Sequence, residues 1–223
     1  MLTGALWMLA LAACPAKEPP RTAAKEDPSG LTPEQKANLG RYEKLAVEIE
    51  AKLKARKADE ALPLWEQASA LAGKIHASAH PLHAKVLALG VRVYTAKGTL
   101  DQAARTAEEE LAVWKQLLGQ GPSALLADSQ QRVGFAWFLA GDLPKAGDAL
   151  SKAVEAWRAV LSGGQAPPAK VPVEELAPPH EPRLGAALHT LGLVAWKRKL
   201  AAEARKLLEE AVTIRRKHLP AGH

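Results

Sequence analysis

The chain has 223 residues, 48% apolar but only 4% aromatic, with a formal net charge of +6. A lone cysteine excludes an internal disulfide framework, and no stretch reaches the roughly 18 apolar residues that a membrane-crossing helix needs. A core this poor in aromatics must be built from Ala and Leu, which lead the helix-propensity scale, so the folded part reads as all-α.

The first element is the apolar run Leu2 to Ala13. Twelve residues at about 1.5 Å of helical rise cover only about 18 Å, short of a hydrocarbon core about 30 Å thick. The length suits the apolar region of a secretory signal, about 7–15 residues, although Met1-Leu2-Thr3-Gly4 lacks the basic start such signals carry. The run ends in Leu11-Ala12-Ala13-Cys14. This tetrapeptide resembles a bacterial lipobox: a large aliphatic and two small residues ahead of a cysteine that is lipidated and becomes the first residue of the mature chain. The resemblance implies a signal peptide over 1–14 and a lipid anchor at Cys14. The alternative is a buried apolar segment with an incidental cysteine. Pro15 rather than Asp after the cysteine points to the outer membrane under the sorting rule of some bacteria.

Residues 15–30, PAKEPPRTAAKEDPSG, are rich in Pro, Lys and Glu without apolar periodicity and read as a disordered tether. Leu31-Thr32-Pro33-Glu34 then reads as a helix start, with Thr32 as N-cap, Pro33 in the first helical position and Glu34 at the positive dipole end.

From here the chain repeats itself. Four segments align on Ala61, Ala103, Ala146 and Ala204, at intervals of 42, 43 and 58. The excess in the last interval is the Pro-rich stretch 162–182, read as a loop between repeats. Each repeat reads as two helices. The first carries a small residue and then an aromatic: Val91 with Tyr94, Gly134 with Trp137, Gly192 with Trp196. A turn follows at Gly98, Gly141 or Lys199. The second carries a small, an apolar and a small residue on one face, as in Ala146, Leu150 and Ala153 or Ala204, Leu208 and Ala211. Trp114 and Trp157, 43 apart, are expected to pack between repeats, and Trp65 on an apolar face.

No catalytic constellation accompanies the repeats: HExxH, CxxC, Walker A and GxSxG are all missing from the sequence. His76, His80 and His83 would share a face on an unbroken helix, but Pro81 interrupts it, so no metal site is expected. Glu108-Glu109-Glu110 and Glu209-Glu210 read as solvated faces, since consecutive helical residues do not face each other. From Arg183 onward nine Lys or Arg face three Glu, which holds the whole positive excess. A solvated face explains this excess, and docking on an anionic surface is the alternative. No nucleic-acid-reading motif accompanies it, and neither enzyme activity nor a cofactor is expected.

The period, the small-residue pattern and the turns at His80-Pro81, Gly121-Pro122 and Glu181-Pro182 resemble the tetratricopeptide repeat (TPR), in the 42-residue form of kinesin light chains. The resemblance runs from about Leu39 to Leu219. It implies a helical-hairpin solenoid over 31–223, a right-handed superhelix of about four helix pairs. It further implies that first helices line a concave groove that holds a peptide or partner helix. Carried over residue by residue, that surface comprises Lys85, Arg92 and Thr95; Asp128, Gln131, Phe135 and Phe138; and His189, Leu193, Trp196 and Lys197. Phe135, Phe138 and Trp196 are the expected anchors, unless the Pro-rich loop folds back over them. The function expected is that of a lipid-anchored envelope scaffold that binds another protein. The alternative function is docking of the basic last repeat on envelope lipid or polymer.

Overall fold

The computed structural model describes residues 30–76, 79–119, 121–164, 176 and 179–218. Cys14, the rest of the expected signal peptide and tether up to 29, and most of the Pro-rich loop lie outside the described residues. The chain divides into two compact units, Met1–Leu31 and Thr32–His223. Of the first, only Gly30 and Leu31 are described. In the second, the described residues form eight helices: α1 (Pro33–Lys54), α2 (Ala58–Ile75), α3 (Pro81–Lys97), α4 (Leu100–Leu118), α5 (Ala124–Ala140), α6 (Leu143–Leu161), α7 (Glu181–Lys197) and α8 (Ala201–His218). They pack as the hairpins α1–α2, α3–α4, α5–α6 and α7–α8, and each second helix also packs on the first helix of the next hairpin.

The start of α1 follows from its sequence. The Gln35 amide donates to Thr32 Oγ1 at 3.2 Å, and the Thr32 amide donates to Gln35 Oε1 at 2.9 Å. This reciprocal box satisfies two of the helix's orphan donors, with Pro33 in the first turn. Likewise α7 begins at Glu181, so Pro182 belongs to the helix rather than the loop; proline's fixed φ suits a first turn.

Within the hairpins one turn recurs four times and sets the register. Arg56, Gly98, Gly141 and Lys199 all adopt left-handed φ, at 58°, 83°, 88° and 64°. After each, the next amide reaches back over the helix end: Lys57 to Lys52 O, Thr99 to Tyr94 O, Asp142 to Trp137 O and Leu200 to Ala195 O, all within 3.0 Å. This is the Schellman closure, normally built on glycine. Hairpin four forms it with Lys199 where a glycine was expected, and hairpin one with Arg56.

Counting from these turn residues aligns the hairpins and corrects one sequence reading. Trp196 matches Phe138 and Thr95, three before the turn, whereas Trp137 and Tyr94 match Ala195. Ala195 is buried and Trp196 is 65% exposed. Seven before the turn stand Ile49, Val91, Gly134 and Gly192, and in the last two hairpins the glycine faces a leucine, Leu150 or Leu208. A Cβ on Gly134 would lie 2.5 Å from Leu150 Cγ, so the small residue in one helix makes room for the large one in the other.

Trp114 and Trp157 are buried in the shared core. Trp65 is half-buried, and its indole N–H donates to Val86 O at 2.8 Å. Glu110 departs from expectation: it is 1% exposed, not solvated. It occupies the place of Ala68, Ala153 and Ala211, all buried, and it stays there because it is fully paired.

Candidate functional site

Four rows of side chains run across the first helices, at thirteen, ten, six and three residues before each turn. They read Glu43, Lys85, Asp128, Ala186; Ala46, Ala88, Gln131, His189; Glu50, Arg92, Phe135, Leu193; and Leu53, Thr95, Phe138, Trp196. The offsets fall on one helical face, and none of these residues is buried. Helix α1 comes close to α3 and α5 close to α7, whereas α2, α4, α6 and α8 make no comparable approach to each other. The first helices thus approach each other in two pairs, α1 with α3 and α5 with α7, on one side of the stack. Every groove residue expected from the sequence lies in these rows, save Lys197, next to Trp196.

The structure gives those residues different occupations. Arg92 forms a two-pronged ion pair with Glu50 of the same row, bridging α3 and α1. A cavity of about 320 Å³ lies beside it, lined by Tyr42, Glu50, Lys85, Arg92 and Arg132 among others. Asp128 accepts from Arg132 Nη2 and from Arg183 Nη1, each at 2.6 Å. Gln131 accepts the Trp157 indole N–H at 3.0 Å. Asp128 thus ties α5 to α7, and Gln131 ties α5 to α6. Phe135 is 46% exposed and Trp196 is the most exposed aromatic of the groove. Phe138 is half-buried, with the Lys197 ammonium 4.7 Å from its ring centroid, a cation–π contact from α7 to α5. His189 is half-buried; burial, then the charge of Arg215, lowers its imidazole pKa.

Behind the groove Arg132 reaches α4: its Nε donates to Glu110 Oε2 at 2.8 Å, and Trp114 Nε1 donates to Glu110 Oε1 at 3.2 Å. Burial pushes the Glu110 carboxyl above the usual range, while Arg132 and Trp114 draw it back. The chain Trp114–Glu110–Arg132–Asp128–Arg183 thus ties three hairpins together. Arg132 and Glu110 escaped the sequence reading, although the repeat register pointed to Glu110.

Two of the three histidines come together. His76 ends α2 and His80 caps α3 through Nδ1 to the Leu82 amide at 3.2 Å. Their rings stack 3.4 Å apart, and His83 Nε2 lies 3.2 Å from Ala72 O. Among the described residues no group of three His, Cys, Asp or Glu is placed to hold a metal, and no helix is long and apolar enough to cross a membrane.

Residues 184–223 match the family model of the tetratricopeptide repeat. Two crystal structures of a Podosopora anserina putative kinesin light chain with nearly identical TPR-like repeats, one of them a single-substitution variant, superpose with a TM-score of 0.60. The variant is 23% identical, over 88% of this chain and 80% of that one; the other is 22% identical, over 90% and 82%. BtubC (BKLC) from P. vanneervenii superposes with a TM-score of 0.62 at 19% identity, over 81% of this chain and 64% of that one. The fold is a TPR-like helical solenoid. No curated protein matches the chain in sequence.

Proposed function

We propose that this protein is a binding scaffold whose first-helix groove holds an extended segment or helix of another protein. The observation that carries the reading is the aromatic strip Phe135, Phe138 and Trp196. Two of its three rings are exposed on the first-helix side of a stack that buries its other tryptophans or covers them in part. Large apolar groups left open in this way act as interface anchors. Binding rather than catalysis suits a groove in which Glu50, Arg92 and Asp128 are engaged in ion pairs. The same scaffold is proposed to be held at the bacterial envelope by lipid on Cys14, with the outer membrane favoured. Support comes from Leu11-Ala12-Ala13-Cys14 at the end of an apolar run and from the polar tether that follows.

Crosslinking and affinity capture of the tagged full chain from host membranes tests the groove. A stoichiometric protein crosslinked near Phe138 and Trp196 supports it. Cys14→Ala tests the anchor, which fails if membrane fractionation is unchanged. A second reading rests on the exposed Lys197, Arg198, Lys199, Arg205, Lys206, Arg216 and Lys217, which suit an anionic surface. Recovery of lipid or polymer alone, lost in high salt, favours that reading.

A further inference from the structure

We propose that the outward face of α8 docks on the headgroups of an anionic phospholipid bilayer. The inference rests on the second reading above and gives it a face and a partner. The repeat register locates the face. Six and thirteen residues after the turn residue stand Ala104 and Leu111 in α4, and Gly147 and Val154 in α6, all buried. A Cβ on Gly147 would lie 3.6 Å from Val194 Cγ1 of α7, so these places receive the following hairpin. In α8 the same places hold Arg205 and Val212, both exposed. Arg216 follows Val212 by one helical turn. Arg205, Val212 and Arg216 therefore run along one line of the helix, flanked by the exposed Lys206 and Lys217.

The charge belongs to this helix alone. Over the twenty residues that begin at each turn residue, hairpin one has three cations against three anions. Hairpin two has two against four, and hairpin three has three against three. Hairpin four has six against three. A polar outer face keeps a repeat array soluble, but either sign of charge does that. Two of the three anions in hairpin four are also engaged: Glu210 accepts from Arg158 of α6 at 2.8 Å, and Glu209 accepts from Arg205 at 2.7 Å. A one-sided positive face attracts an anionic surface. Val212 decides which kind. It is 46% exposed between two guanidinium groups. A bilayer interface suits both chemistries, with phosphates for the cations and the acyl boundary for the valine. The apolar stems of Arg205 and Arg216 lie along that boundary while their heads reach the phosphates. A soluble polyanion offers the valine nothing.

The test is co-sedimentation of the full chain, carrying Cys14→Ala, with vesicles of phosphatidylcholine alone or mixed with phosphatidylglycerol. The neutral vesicles register what the apolar run 2–13 contributes by itself. Binding to the anionic vesicles is expected to be about tenfold tighter or more, and the difference is expected to vanish in high salt. Arg205→Gln with Arg216→Gln should weaken anionic binding by about tenfold or more, at about fivefold per cation. Lys206→Gln with Lys217→Gln should do the same independently, so the test survives if the first pair disturbs the fold. Val212→Ser should weaken it by about threefold. Lys115→Gln with Lys152→Gln, on α4 and α6, should leave it unchanged. An anionic preference that both α8 pairs leave intact overturns the face. Equal binding to both vesicles, with capture of soluble polyphosphate by the same cations, overturns the lipid partner and leaves the second reading standing. Equal binding to both vesicles without polyphosphate capture overturns the second reading as well.

Discussion

The two halves of the first-helix face share one backbone and carry opposite chemistries. In hairpins one and two the rows present Glu43, Glu50, Lys85 and Arg92, and Glu50 and Arg92 close on each other across the helices. In hairpins three and four the row of Glu50 and Arg92 presents Phe135 and Leu193, and the row of Leu53 and Thr95 presents Phe138 and Trp196. An exposed ion pair contributes about 0–1 kcal/mol and fades with salt, whereas burying a large apolar side chain contributes about 1.5–3 kcal/mol. On the proposed reading, a partner in the groove would be held mainly by the aromatic half, and its contacts with the polar half would weaken with salt.

The two halves are joined at Arg132, and breaking that joint has the largest expected effect. Arg132→Ala leaves Glu110 buried without its cation and should cost about 3–5 kcal/mol of stability, read by urea denaturation. Next comes the aromatic half. Phe138→Ala with Trp196→Ala should cost about 2–4 kcal/mol of partner affinity with unchanged circular dichroism; lost helicity would make these residues structural. The turns follow. Lys199→Gly and Arg56→Gly should each stabilise by about 1 kcal/mol, and Gly98→Ala or Gly141→Ala should destabilise by a similar amount. The polar half should respond least to truncation. Arg92→Ala should change stability by less than about 1 kcal/mol and flatten the salt dependence of partner binding. Smallest of all is a pH effect at the first inter-hairpin joint. Burial, and then neighbouring imidazoles, lower the pKa of His76 and His80 in the fold. Protons therefore favour the unfolded chain as pH falls below the ordinary imidazole value of about 6.5, and stability should decline there. His80→Asn keeps a capping acceptor and should flatten that decline.

Much of this fold is written in the spacing of small residues. Ala61, Ala103, Ala146 and Ala204 mark all four second helices, and the turns at Gly98 and Gly141 mark two of the hairpins. Hairpin one was obscured because its turn residue is Arg56, and residue type does not announce a left-handed φ. Trp196 was matched to Trp137 by chemical kind. The backbone turn at Lys199 moves it one residue, from a covered position to an open one. Glu110 was read as solvated from its acidic neighbours, although the alignment with Ala153 and Ala211 already placed it on the packed face. Its partner Arg132 lies 22 residues away, a pairing that local pattern does not reveal. Of the candidate groove, the row positions were readable. Which members are engaged in holding the stack, such as Asp128 and Gln131, depended on side-chain partners in other helices, Arg183 and Trp157.

The four turns also divide by place. The two middle hairpins close on glycine, and the two outer ones on arginine and lysine, side chains that pay for a left-handed backbone. In a linear array each unit is steadied by its neighbours, and among the described helices hairpins one and four each pack on one other hairpin only. Strain and weak support thus coincide at both ends. Amide protons of α1, α2, α7 and α8 should exchange with solvent before those of α3 to α6, so the array should fray inward from its ends and keep the span from Pro81 to Leu161 to the last.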